Sequence, residues 1–377
     1  MTFRRTWAIA RKEILHILRD KRSLMAALTQ PLMVLLLFGY ALSLDVDQVK
    51  TMVYDLDHTP QSEGLIREFY GSRYFDVIDE AGSYREIENA MDREQARVGV
   101  VIPNDYAKNL LQGRTAEVQV LIDGSDSNTA SIALGYAEGL IQTYAVRWRD
   151  EAESERAGRV VQAPVEARVR VWYNTDLESK NYIVPGLIGV ITMIIAALLT
   201  SLTVAREWEN GTMEQLLSTP VRPSEMALGK LIAYFLLGFV DMMMAILAGV
   251  YVFDVPIKGN PWLLLLAACI FLAGGMAWGI FISATSRNQL TAYQIGVFTS
   301  FLPAFLLSGF VYSLNNMPAV IRFFAIFVPA RYFITVAKGI FLKGIGIKLL
   351  WFDILLLVLY MIGVFFLTAR KLRQKVA

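Results

Sequence analysis

At 377 residues, with 55% hydrophobic and only 19% charged side chains and a mean hydropathy of +0.43, the chain is too apolar for a purely soluble protein, and disorder and collagen-like repeats are excluded. A single cysteine, Cys269, and two histidines, His16 and His58, exclude an intrachain disulfide framework, a cysteine metal site and a His-rich one. The net charge of +2 conceals a division: residues 45–181 hold 25 of the 34 acidic side chains against 15 Lys and Arg, whereas the rest holds 9 against 21.

In chain order, the first 22 residues carry seven basic side chains: Arg4, Arg5, Arg11, Lys12, Arg19, Lys21 and Arg22. Phe3, Trp7, Ala10, Ile14, Ile17 and Leu18 share one face at about 100° per residue, with Arg5, Lys12, His16 and Arg19 opposite. Residues 1–22 are therefore expected to form an amphipathic helix lying in the membrane plane on the cytoplasmic side. A bilayer span needs about 20 mostly apolar residues, and Ser23–Leu44 supplies the first. Its long basic lead and long apolar run fit an uncleaved anchor better than a signal peptide.

Residues 45–181 break this pattern. Strand-like Val49–Tyr54, Phe75–Ile78, Val98–Ile102 and Val118–Ile122 alternate with helix-like Ser62–Tyr70, Tyr84–Met91, Asp105–Leu111 and Ser131–Arg149. The alternation predicts a mixed α/β domain. Glu151–Gly158 reads as a charged connector and Val165–Tyr173 as an extended return to the membrane. Asp55, Asp57, Asp123 and Asp126 lie near strand ends; solvated loop acids are a simpler reading of them than a Ca²⁺ site.

Five further spans follow within 182–368: Tyr182–Val204, Leu228–Phe253, Trp262–Ala284, Thr291–Tyr312 and Leu349–Thr368. Six spans put both termini on one side. The basic start, together with Arg370, Lys371, Arg373 and Lys375 in the tail 369–377, makes that side cytoplasmic. Arg206, Arg222 and Arg287 then also face inward. Residues 313–348 should face outward yet hold Arg322, Arg331, Lys338, Lys343 and Lys348. A seventh span there would bury charge at a high cost, so an external, half-buried helix pair broken at Pro329 is expected. The fold class is a polytopic α-helical membrane protein with six transmembrane helices and an extracytoplasmic α/β domain between helices one and two.

No phosphate-binding loop, dinucleotide fingerprint, zinc-protease motif or serine-nucleophile elbow occurs, so no energy-converting or catalytic set is legible. The acidic outer region gives no support for nucleic-acid binding. The segment 205–226, after the second span, reads Arg206-Glu-Trp-Glu-Asn-Gly-Thr-Met-Glu-Gln-Leu-Leu-Ser-Thr-Pro220. Gly211 and Pro220 break it, and Thr212 is placed to cap a helix over Met213–Leu217 with Glu214 in its first turn.

This segment resembles the Arg-Glu-Arg-Glu-x-Gly-Thr-x-Glu-x-Leu-Leu-x-x-Pro signature of type-2 ABC-exporter permeases. Arg206, Glu207, Glu209, Gly211, Thr212, Glu214, Leu216, Leu217 and Pro220 match, and Trp208 replaces the second basic residue. A second resemblance covers Leu307–Pro318, Pro329-Ala-Arg-Tyr-Phe333 and Lys338–Gly344, with Val328 where Asn is commoner. The likeness is greatest to the bacterial multidrug-efflux permeases of that superfamily and extends over nearly the whole chain. It implies an inner-membrane permease that moves hydrophobic or amphipathic substrates outward and is not itself an enzyme. It further implies separate ABC ATPase subunits holding ATP and Mg²⁺, no cofactor or metal on this chain, and a second permease chain, identical or different. The outer domain would be where a periplasmic adaptor could dock. Arg206, Glu207, Glu209, Gly211, Thr212 and Glu214 would couple to the ATPase, the acids pairing with its Lys or Arg.

Asp241, about mid-span, is a pathway candidate because an ionisable residue there is expensive; an interhelical hydrogen bond is the competing reading. Gly275, Gly279 and Ser283 form a small-residue packing face. Pro185 and Pro303 are expected to kink their spans. Pro329, Arg331 and Tyr332 would hold the external helix pair. A gradient-driven carrier using Asp241, or a membrane-anchored receptor acting through the outer domain, are the alternatives.

Overall fold

The computed structural model describes residues 2–41, 47–157, 173, 178–286, 288–312 and 314–376. Helix α1 (Phe3–Arg19) ends at Asp20, whose N–H donates to the His16 carbonyl oxygen, and α2 (Lys21–Ala41) starts at the next residue. The chain divides into two compact units, Leu44–Arg170 and the remainder.

The smaller unit is an α/β fold. Strand β1 (Val49–Asp55) leads to α3 (Pro60–Gly71), β2 (Phe75–Glu80), α4 (Tyr84–Asp92), β3 (Val98–Ile102), α5 (Tyr106–Leu111), β4 (Gln119–Ile122) and α6 (Ser127–Ala157). The sheet order is β2-β1-β3-β4, with β1 parallel to β2 and β3, and β4 antiparallel to β3. Every residue of Val-Gly-Val-Val-Ile in β3 is buried, as a central strand covered on both faces requires. One face packs Val53, Leu65, Phe69 and Val100; the other packs Met52, Ile87 and Val101. Each expected strand and helix is present. The four loop aspartates serve their own turns: Asp55 accepts from Ser62, Asp57 from Thr59, Asp123 from Ser125 and Asp126 from Thr129. Glu151–Gly158 differs from expectation, because α6 stays helical to Ala157. Most of Val165–Tyr173 lies outside the described residues, as do Arg287, Ser313 and the end of the first predicted span.

The larger unit continues with α7 (Ser179–Ser201), α8 (Thr203–Glu209), α9 (Thr212–Leu217), α10 (Pro223–Tyr251), α11 (Pro261–Thr285) and α12 (Gln289–Leu306). It closes with α13 (Ala319–Ala325), α14 (Pro329–Lys338), a π-helical turn at Gly339–Lys343, and α15 (Ile347–Val376). Helix starts follow local chemistry. Proline occupies the first turn of α10, α11 and α14, where its missing N–H costs nothing. Asn260 and Asn288 side chains accept from the first N–H groups of α11 and α12. Helix α7 is the central element, packing against α2, α10, α11, α12 and α14.

By length and composition, five helices among the described residues can cross a membrane: α2, α7 running into α8, α10, α11 and α15. A sixth is available if α13 and α14, bent by 83°, count as one broken span. This corrects the predicted fifth span, Thr291–Tyr312. Helix α12 is long enough, 18 residues to Leu306 with a rise of roughly 27 Å, but Gln289, Thr291, Gln294, Thr299 and Ser300 leave it less apolar than the other spans, and the chain bends through 307–312. Pro185 lies within α7 without ending it. The break before Pro329 is as expected. Helix α14 is nonetheless well buried, through Ala330, Phe333, Ile334, Val336 and Ala337.

Candidate functional site

The site is assembled where α7 gives way to α8. The Ser283 hydroxyl oxygen on α11 accepts hydrogen bonds from the Val204 and Ala205 N–H groups at 2.9 and 3.0 Å, which fixes the start of α8. Gly211, with φ of +68°, then adopts the left-handed conformation that only glycine takes at little cost, and turns the chain into α9. Thr212 does not cap this helix. It is the first helical residue, and its hydroxyl donates to the Glu207 carbonyl oxygen at 3.3 Å. Met213 is fully buried with Val204, Met226, Ile280 and Leu372, so α9 is seated on the bundle while Glu214 stays exposed.

Glu207 does not face outward. It is 6% exposed, and its Oε1 lies 2.7 Å from Lys12 Nζ on α1 and 3.1 Å from Lys230 Nζ on α10. Lys230, itself 1% exposed, also contacts Glu13 Oε1 at 2.9 Å, and Lys12 approaches Glu13 at 3.3 Å. Tyr234 adds a hydroxyl 3.5 Å from Glu13 Oε2. Two carboxylates and two ammonium groups thus join α1, α8 and α10. Burial acts to raise the Glu13 pKa, but the charges of Lys230 and Lys12 outweigh it and hold the carboxyl below its ordinary 4.5. Burial acts to lower that of Lys12, but its hydrogen bond to and attraction by Glu207, with Glu13 adding, raise it above 10.5.

Around the cluster, Arg206 Nη1 donates to His16 Nε2 at 3.2 Å, and Glu209 accepts from the Gln289 backbone N–H at 2.9 Å and from its side-chain amide. Arg5 donates to the Pro220 carbonyl oxygen and Thr2 N–H to Glu225, which ties the start of α1 to the head of α10. A cleft of about 410 Å³ opens beside the cluster, lined by Lys12, His16, Arg206, Glu207 and Thr212 among others. Among the described residues, no group of three or more His, Cys, Asp or Glu could hold a metal ion. Ion pairs at Glu207 thus connect α8 to α1 through Lys12 and to α10 through Lys230.

The sequence matches the profile described as ABC-2 family transporter protein over residues 21–370. The chain belongs to the ABC-2 transporter family. This ABC-2 chain is 35% identical to a probable multidrug ABC transporter permease, YbhS, of Escherichia coli strain K12, over 91% of its own length and 90% of the relative's. It is 30% identical to the probable multidrug ABC transporter permease YbhR of the same strain, with 93% of both chains covered. The inner membrane transport permease YhhJ, also from that strain, is 27% identical over 85% of this chain and 83% of its own.

The other predicted residues of the ABC-2 chain lie apart from this cluster. Gly275 and Gly279 do form a packing face: a Cβ at Gly275 would sit 3.0 Å from Ala196 Cβ, and one at Gly279 would strike Thr200 and the Ala197 backbone of α7. Asp241 is roughly three turns along α10 from Lys230. It is buried among Thr192, Ile195, Met242 and Leu272, and neither carboxyl oxygen has a hydrogen-bond partner among the described residues. Tyr332 ties α14 to the end of the preceding helix by donating to the Ile326 carbonyl oxygen at 2.7 Å. Arg331 lies over the Tyr332 ring, with Nη1 buried and unpartnered among the described residues.

Sequence reasoning missed Glu13, Lys230 and Tyr234, and assigned Lys12 only to a polar face. The available signals were an acid on the cation-rich amino-terminal helix and a lysine near the start of a span whose other charged residue is Asp241. Helix α1 also contacts the bundle through residues outside its expected apolar face. Thr6, Ile9, Ala10 and Glu13 meet the bundle, while Phe3, Trp7 and Leu18 remain exposed.

Proposed function

We propose that this ABC-2 permease exports hydrophobic or amphipathic molecules, drug- or lipid-like, across a bacterial inner membrane, driven by separate ATPase subunits that bind ATP and Mg²⁺. The observation that carries the reading is the cluster of buried Glu13, Glu207 and Lys230, with exposed Lys12 at its edge, behind the seated helix α9. An ATPase closing against α9 meets Glu209 and Glu214, which are exposed. The movement passes through Glu207 to α1 and α10, and through the α7–α8 junction to the central helix. In this reading Glu207 transmits within the chain rather than binding the partner. A second permease chain, identical or different, completes the pathway. Positive-inside charge supports cytoplasmic termini, leaving the α/β unit extracytoplasmic, where it gates release or receives a periplasmic adaptor.

The test is co-purification from the native membrane in mild detergents and nanodiscs. A separate phosphate-loop protein should accompany the chain stoichiometrically and be largely lost from a Glu209→Lys/Glu214→Lys variant. Glu207→Gln should retain that partner yet lose ATP-dependent export by about tenfold or more, a loss of about 1.4 kcal/mol or more in coupling. Absence of any ATPase under all conditions sinks the reading. The unpartnered Asp241 carboxyl then favours the gradient-driven carrier, whose transport Asp241→Asn would abolish.

A further inference from the structure

Helix α1 meets α10 tightly at one end and stands away at the other. Near its middle, Ile9 lies so close to Gly229 that a Cβ there would sit 2.7 Å from Ile9 Cβ, and Glu13 bonds Lys230. One to two turns further along both helices the contact opens into a groove of about 290 Å³ between α1, α2 and α10. Ile17, Leu18, Leu24, Leu28, Leu236 and Val240 are among its walls, and every lining side chain is apolar. The helical backbones bordering it already satisfy their own hydrogen-bonding groups, so only hydrocarbon is complementary to it. Its volume is at the lower end of small-molecule sites.

The rim supplies the second observation. Leu18 and Leu24 both line the groove, so the elbow that joins them, residues 19–23, borders it by connectivity. That elbow carries Arg19, Lys21 and Arg22, all exposed, against the single acid Asp20. Exposed Phe3, Trp7 and Leu18 on α1 mark this as a surface facing the membrane boundary.

We propose that the groove seats an acyl chain of an anionic phospholipid whose phosphate is held by Arg19, Lys21 and Arg22. The lipid wedges α1 against α2 and α10, about one turn beyond Glu13. The seat is independent of the transport reading, because it is defined by binding alone.

The test is native mass spectrometry of the purified full chain titrated with phosphatidylglycerol or phosphatidylcholine. The wild type should retain phosphatidylglycerol preferentially. Arg19→Gln/Lys21→Gln/Arg22→Gln should erase that preference, by about fivefold for each basic residue removed, while leaving phosphatidylcholine retention unchanged. Leu236→Trp, which fills the groove, should reduce retention of both lipids. Circular dichroism checks that each variant is folded, and the elbow variant decides the matter if Leu236→Trp is not. Equal retention of the two lipids by the wild type, or a preference that survives the elbow variant, overturns the proposal. So does release of a second copy of the chain by Leu236→Trp with bound lipid unchanged, which would make the groove a protein contact.

Discussion

Lys230 carries the greatest consequence of any single residue. Its ammonium is enclosed beside two carboxylates, and removing it leaves buried Glu13 and Glu207 with only the exposed Lys12 to compensate them. Lys230→Met should therefore destabilise the detergent-solubilised chain by about 3–5 kcal/mol, read as a fall in melting temperature. Adding Glu13→Gln and Glu207→Gln to it should recover most of the loss, since a neutral, filled site replaces an unpaired one. A single variant that melts with the wild type would remove the cluster from the account. Glu13 and Lys12 set a pH window. Glu13 titrates below its ordinary value, so its contribution is full above 4.5 and is lost as pH falls through the lower folded value. Lys12 titrates above its ordinary value, so its contribution is full below 10.5 and is lost as pH rises through the higher folded value. Melting temperature should form a plateau between these limits, and Glu13→Gln should shrink the acid arm specifically.

Between elements, the decisive contact is α7 with α11. Small residues let the two backbones approach, and Thr200 uses that closeness to donate to the Met276 carbonyl oxygen at 2.9 Å. Ser283, one turn beyond Gly279, then serves the break that creates α8. Gly279→Leu should force α11 away from α7 at a cost of about 1–3 kcal/mol and displace α8 with it. The control is Gly363→Ala on α15, where an added Cβ meets nothing within 4 Å; this should be neutral or mildly stabilising, because alanine is the better helix former. Equal melting temperatures for both variants would show that the glycine face has no packing role. The small-residue spacing was visible in the sequence. That Ser283 would accept two backbone N–H groups was not, because nothing in the second span marks Leu202 as a breaking point.

In the whole molecule, the net charge of +2 is the near-cancellation of an acidic α/β unit and a basic helical one, and the boundary between them is where charge and hydropathy change together. The spans and the alternating strands and helices were legible because each is written in short windows of sequence: apolar length for a span, buried runs and turn residues for a strand. The predicted fifth span failed for the same reason, since its apolar stretch does not reveal that the helix begins at polar Gln289 and stops at Leu306 before the bend. The signature 206–220 was legible as a segment, and membership of the ABC-2 family agrees with it. What the sequence by itself determined is therefore the order, type and approximate bounds of the elements, because composition and periodicity act locally. Only the tertiary structure decided that Glu207 turns inward and that Glu13 and Lys230, 217 positions apart, share a buried charge network. It also decided that α1 both grips and stands off from α10. Those outcomes depend on close backbone approach at Gly229 and on charges that must find partners once water is excluded, and neither condition exists until the helices have packed.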